Sequence, residues 1–108
     1  MTLTRDDILK MEAGRDIDEL ITAKIISTDG FWHGIKPYST EYAAAWEVVE
    51  KLQKPDWAWK IESFYAFGKL LWSACYWGDT EDAGLAYYTA TADTVQLAIC
   101  KAALYTTL

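Results

Sequence analysis

The sequence predicts an α+β fold: a three-layer α/β/α sandwich whose antiparallel sheet, of three strands or slightly more, lies between helices. Three observations predict it. Apolar residues recur with a helical period at both ends and in the middle of the chain, and from Trp57 to Ala90 the period drops to two. The segment Lys69–Trp77 and the last helical segment are both apolar on nearly all sides, the pattern of elements covered from two directions. A chain of 108 residues is one domain with one core.

Each element follows from local chemistry. Thr4 stands as an N-cap with Asp6 and Asp7 in the first turn, so a short helix to about Glu12 buries Ile8 and Met11. Arg15 to Ile26 carries Ile17, Leu20, Ile21 and Ile25 on one face. Ser27 to Tyr38 is broken by Gly30, Gly34 and Pro37 and reads as an unusually aromatic loop. A third helix, capped by Ser39 or Thr40 and running to about Gln53, has Tyr42, Ala45, Trp46, Val49 and Leu52 as its expected buried stripe. Pro55 ends it.

Trp57, Trp59 and Ile61 then alternate with Ala58, Lys60 and Glu62, a strand with one apolar face. Phe64–Phe67 extends this strand or turns, Lys69–Trp77 is the second strand, and Leu85–Ala90 is the third, after an acidic turn over Gly78–Gly84. Connections this short make an antiparallel meander. Asp93, with Gln96 as capping-box partner, opens a last helix from Thr94 to about Thr106.

Composition excludes more than it assigns. A net charge of −6 argues against nonspecific binding to a nucleic acid polymer or an anionic membrane. The first residues lack the basic start and apolar run of a signal peptide, and no apolar stretch reaches membrane-spanning length. Cys75 and Cys100 sit in apolar patterns and read as buried, unpaired thiols of a reducing cytosol. His33 is the sole histidine, so a multi-histidine metal site is excluded. Gly78–Gly84 lacks calcium-loop spacing, and there is no phosphate-cradling glycine loop. The expectation is a protein that is not an enzyme and takes no cofactor.

The rings are the positive signal. Six Trp, seven Tyr and three Phe exceed what a small core needs. Trp46 and Tyr42 are assigned to a helix stripe, whereas Trp32, Tyr38, Tyr87 and Tyr88 have no evident core role. Flat rings hold planar ligands by stacking, at about 1–3 kcal/mol per base. The candidate ligand-binding set is therefore Trp32, His33, Tyr38, Trp57, Trp59, Trp72, Trp77, Tyr87 and Tyr88, with Lys36 and Lys69 as local positive charge.

Three blocks carry a resemblance. Asp7–Lys24 (DILKMEAGRDIDELITAK), Tyr38–Leu52 (YSTEYAAAWEVVEKL) and Ala92–Leu104 (ADTVQLAICKAAL) resemble, in order and spacing, the phage ABA sandwich domain family of small phage and prophage proteins. The strand region matches loosely, and the segment before Tyr38 is more compact than is usual there. The resemblance implies an α/β/α sandwich and a phage origin, and it transfers no catalytic residues. With the rings, it leads to an expected function: a phage protein in the cytoplasm of the infected host that sequesters a nucleotide-derived immune signal. The alternatives are a protein-interaction module and a minor enzyme using His33. A homo-oligomer is a further expectation, because pairing buries surplus rings.

Overall fold

A computed structural model describes residues 3–29, 34–82 and 84–108. Helix α1 spans Arg5–Lys10, α2 Arg15–Lys24, α3 Tyr42–Leu52 and α4 Val95–Tyr105, with a short 3₁₀ segment over Ile26–Asp29. Strands β1 (Trp57–Ala66), β2 (Lys69–Thr80) and β3 (Gly84–Ala92) form one antiparallel meander in the order β1-β2-β3. This is the α+β class, with the three-stranded antiparallel sheet, that the sequence predicts.

The caps explain the helix starts. Thr4 Oγ1 accepts from the Asp7 amide at 3.2 Å while the Asp7 carboxylate accepts from the Thr4 amide at 2.9 Å, a reciprocal capping box. At α4 the cap is Thr94, whose Oγ1 accepts from the Leu97 amide, and not Asp93. The Asp93 carboxylate instead pairs with Lys69 at 3.1 Å, and Gln96 donates to the Thr40 carbonyl at 3.2 Å. Ser39 does not cap α3. Its amide donates to Asp18 Oδ1 at 2.8 Å and its hydroxyl accepts from the Gly14 amide at 2.9 Å, tying the segment before α3 to α2.

The all-round apolar helix is the hub of the fold. α4 is buried from Ala98 through Tyr105; it lies across β2 and β3 and also packs against α1, α2 and α3. Its remaining charge, Lys101, donates to the Leu9 carbonyl at 2.9 Å, and burial lowers its pKa.

Every sheet residue in the core comes from one face: Trp59, Ile61, Trp72, Ala74, Tyr88, Ala90 and Ala92. The described helices gather on that face, whereas the apolar faces of β2 suggest a helical layer on each side. The element enclosed from two directions is α4, with the sheet on one flank and the other helices on the other. The second face of the sheet is open, with Phe64, Trp77, Leu85 and Tyr87 all exposed.

The stripe of α3 differs from expectation. Its buried residues are Ala44, Ala45, Val48 and Val49, and Tyr42 and Trp46 are 53% and 41% exposed, stacked on one another at 6.2 Å. α3 packs on α4 and buries Ala44, Ala45, Val48 and Val49, so the two rings lie on the part of the helix turned outward.

Candidate ligand-binding face

Strand register divides the rings into two groups. Trp57 pairs with Gly78, Trp59 with Tyr76, and Tyr76 with Tyr88, all on the helix-covered face. Trp57 stacks on Tyr76 at 4.9 Å and on Tyr88 at 6.2 Å, and Trp59 lies 5.0 Å from Tyr76. The Tyr76 hydroxyl donates to the Leu52 carbonyl at the end of α3, and burial raises its pKa. Trp57, Trp59 and Tyr88 therefore brace the sheet against the helices, and Trp72 shares their face. Trp59 Nε1 is buried there without a hydrogen-bond partner.

Trp77 and Tyr87 are cross-strand partners on the other face. Their rings lie 6.1 Å apart with planes 17° from parallel, and they are 37% and 60% exposed. Beside them is a shallow depression of about 380 Å³, floored by Ser73, Cys75 and Thr89 and edged by Lys60 and Glu62. The register sets its plan: a row Ala58–Trp77–Tyr87, then Lys60–Cys75–Thr89, then Glu62–Ser73 with Thr91. Rows two residues apart along a strand lie about 7 Å apart. A flat ring seated on Trp77 or Tyr87 thus leaves its substituents over small side chains, within reach of a lysine. Lys60 Nζ stands 3.6 Å from Glu62 Oε1, both more than half exposed.

The other candidates are dispersed. Trp32 and His33 lie outside the described residues. Tyr38 is 1% exposed in the core, where burial raises its pKa, so it is withdrawn from any surface site. Lys36 is held by Glu47 at 2.8 Å, and that carboxylate raises its pKa. Lys69 is paired with Asp93. Cys100 is buried as expected, but Cys75 is only partly buried and belongs to the open face. Lys60, Glu62, Ser73, Cys75 and Thr89 are not among the site residues that the sequence nominates. Alternation along the strands was their only signal, and it acquires meaning once one face is known to be open.

A larger cleft of about 590 Å³ runs between α1 and the start of α4, past Met11, Leu71, Thr91, Leu97 and Lys101. Among the described residues no aromatic ring lines it. Among the described residues no group of three or more His, Cys, Asp or Glu side chains is arranged to hold a metal, and no helix is long and apolar enough to cross a membrane.

Compared with known proteins, residues 7–104 match the family model described as the phage ABA sandwich domain, the family that the three sequence blocks resemble. No curated protein and no solved structure matches the chain.

Proposed function

Because this chain belongs to the phage ABA sandwich domain family, we propose that it is a non-enzymatic phage binding protein whose open sheet face takes a small nucleotide-like molecule. The observation that carries this reading is the exposed, stacked Trp77–Tyr87 pair beside a small-residue depression and a lysine. A purine-sized ring stacks on either aromatic, and a phosphate or ribose group extends toward Lys60, Ser73 and Thr89. Lys60 is the basic group lining this depression, and it stands beside Glu62, which a bound phosphate would displace as its partner. A phage protein that binds without turnover acts by sequestration, in the cytoplasm of the infected host, and a nucleotide-derived immune signal is the ligand class this suits.

The test is a titration of cyclic nucleotides, cyclic dinucleotides and ADP-ribose derivatives, followed by tryptophan fluorescence and by alkylation of Cys75. A ligand on this face quenches Trp77 and protects Cys75. Trp77→Ala should weaken binding about tenfold or more, on a stacking contribution of about 1–3 kcal/mol. If no member of the panel binds the folded protein, or if binding ignores Trp77→Ala, the proposal fails. Recovery of chemically altered ligand would make the protein an enzyme and would also overturn it.

A second reading, a protein-interaction module, is favoured by one feature. The β1–β2 hairpin runs past the end of β3, which reaches only Trp72, and carries Tyr65 and Phe67 exposed near its tip. Exposed rings on a projecting turn are typical anchors for a partner surface. Retention of one host or phage protein by the wild type, lost in Phe67→Asn, would support it.

A further inference from the structure

β1 is an edge strand of ten residues whose extensive neighbour is β2. Two contacts show which backbone groups face its free side. The hairpin closes through the Ala66–Lys69 pair over two residues, so Ala66 and every second residue before it turn their amides toward β2. At the other end, the Trp57 amide donates to the Lys54 carbonyl at 3.2 Å and its carbonyl accepts from Gln53 Nε2 at 3.0 Å, away from β2. The odd-numbered residues, Trp59, Ile61, Ser63 and Tyr65, therefore present N–H and C=O groups outward.

Proteins normally blunt an edge this long with proline, a bulge or unbalanced charge. β1 has no proline, and its ladder with β2 runs without interruption from Trp57 to Ala66. Its two charged side chains, Lys60 and Glu62, are opposite in sign, on one face and more than half exposed. That arrangement suits one partner above others: the same strand running the opposite way.

Two-fold pairing of an edge with its own copy matches residues symmetrically about a centre. Outward amides allow odd residues to meet only odd residues, which leaves centres at Lys60, Ile61 or Glu62 for a long overlap. A centre at Lys60 sets two lysines opposite each other, and a centre at Glu62 sets two glutamates. A centre at Ile61 places Lys60 opposite Glu62 of the second copy, twice by symmetry. Trp57 stays outside the overlap, because Lys54 and Gln53 already take its outward groups. α4 lies over β2 and β3 rather than over this edge strand.

We infer that two copies of this chain associate through β1, antiparallel and centred on Ile61, into a continuous six-stranded sheet. The overall charge of −6 opposes approach elsewhere on the surface, and this edge is locally neutral. The inference stands apart from the ligand reading, since its readout is mass.

The test is light scattering and sedimentation over a concentration series. The wild type is expected at twice 12.3 kDa. Lys60→Glu and Glu62→Lys each turn two attractive cross-strand pairs into repulsive ones and should raise the dimer Kd by about tenfold or more. The double variant, Lys60→Glu with Glu62→Lys, restores the pairs and should restore the dimer. Circular dichroism checks that all three stay folded. A wild type that remains monomeric at about 100 µM, a dimer indifferent to the single reversals, or a double variant that stays monomeric overturns the inference.

Discussion

The hairpin between β1 and β2 turns on Phe67 and Gly68, with φ of +54° and +77°. Both central residues in the left-handed region make a type I′ turn, whose twist matches the flanking strands. Gly68 adopts this freely. Phe67 brings its Cβ too close to the following carbonyl oxygen, at about 1–2 kcal/mol. Its ring is fully exposed, so no packing offsets that cost. Phe67→Asn creates the Asn-Gly pair that such turns favour, and recovery of about 0.5–1 kcal/mol is expected. In a domain of about 100 residues this corresponds to a Tm increase of about 3–6 °C. Thermal unfolding followed by circular dichroism measures it, with urea titration expected to move the midpoint at constant slope. An unchanged or lower Tm would refute the reasoning, because it would mean that the Phe67 ring supports the fold.

Three other outcomes follow from the packing. A Cβ at Gly78 would overlap the Trp57 ring and stand 2.7 Å from the Asp56 carbonyl, so Gly78→Ala should cost about 1–3 kcal/mol and lower Tm by about 5–15 °C; an unaffected Tm would show that Trp57 yields freely. Asp18→Ala leaves the buried Ser39 amide without its acceptor and should cost about 1–3 kcal/mol, whereas Asp18→Asn keeps an acceptor and should cost less in the same denaturant titration. Equal losses would remove Ser39 as the reason for Asp18. The third outcome concerns alkaline pH. Burial raises the Cys100 thiol far above its ordinary 9.0, so its stabilising contribution is whole below pH 9.0 and is lost as pH rises toward the folded value, since the unfolded chain gives up that proton first. Tyr38 and Tyr76, raised by burial from 10.0, act in the same sense at higher pH, while Lys101, lowered from 10.5, acts in the opposite one. The urea midpoint should fall above pH 9, and Cys100→Ala should flatten the first part of that fall; a wild-type midpoint flat to pH 10.5 would refute the assignment.

The element plan was legible because its signals are local. Thr4 and Asp7 satisfy each other's backbone within one turn, and the α2 stripe of Ile17 and Ile21 needs only its own periodicity. Other elements offered two local solutions. Asp93 and Thr94 are both good N-caps; Thr94 takes the cap, and the Asp93 carboxylate pairs with Lys69 on another element. In α3 the apolar residues cover so much of the circumference that periodicity cannot set the phase. Packing against α4 left Ala44, Ala45, Val48 and Val49 buried and Tyr42 and Trp46 exposed.

The candidate site shows the same division more sharply. Ring content pointed to planar-ligand binding, and Trp77 and Tyr87 were among the residues it nominated, together with rings that brace the sheet and a tyrosine that belongs to the core. By itself the sequence determined how many helices and strands form, roughly where each begins and ends, and that alternate strand residues share a face, because capping, turn chemistry and period act over a few bonds. Only the tertiary structure decided which face α4 covers, and so which rings became core, which stayed on the open sheet and which strand edge was left unpaired. Those choices depend on contacts between segments tens of residues apart, and no local pattern encodes the side from which a distant helix will arrive.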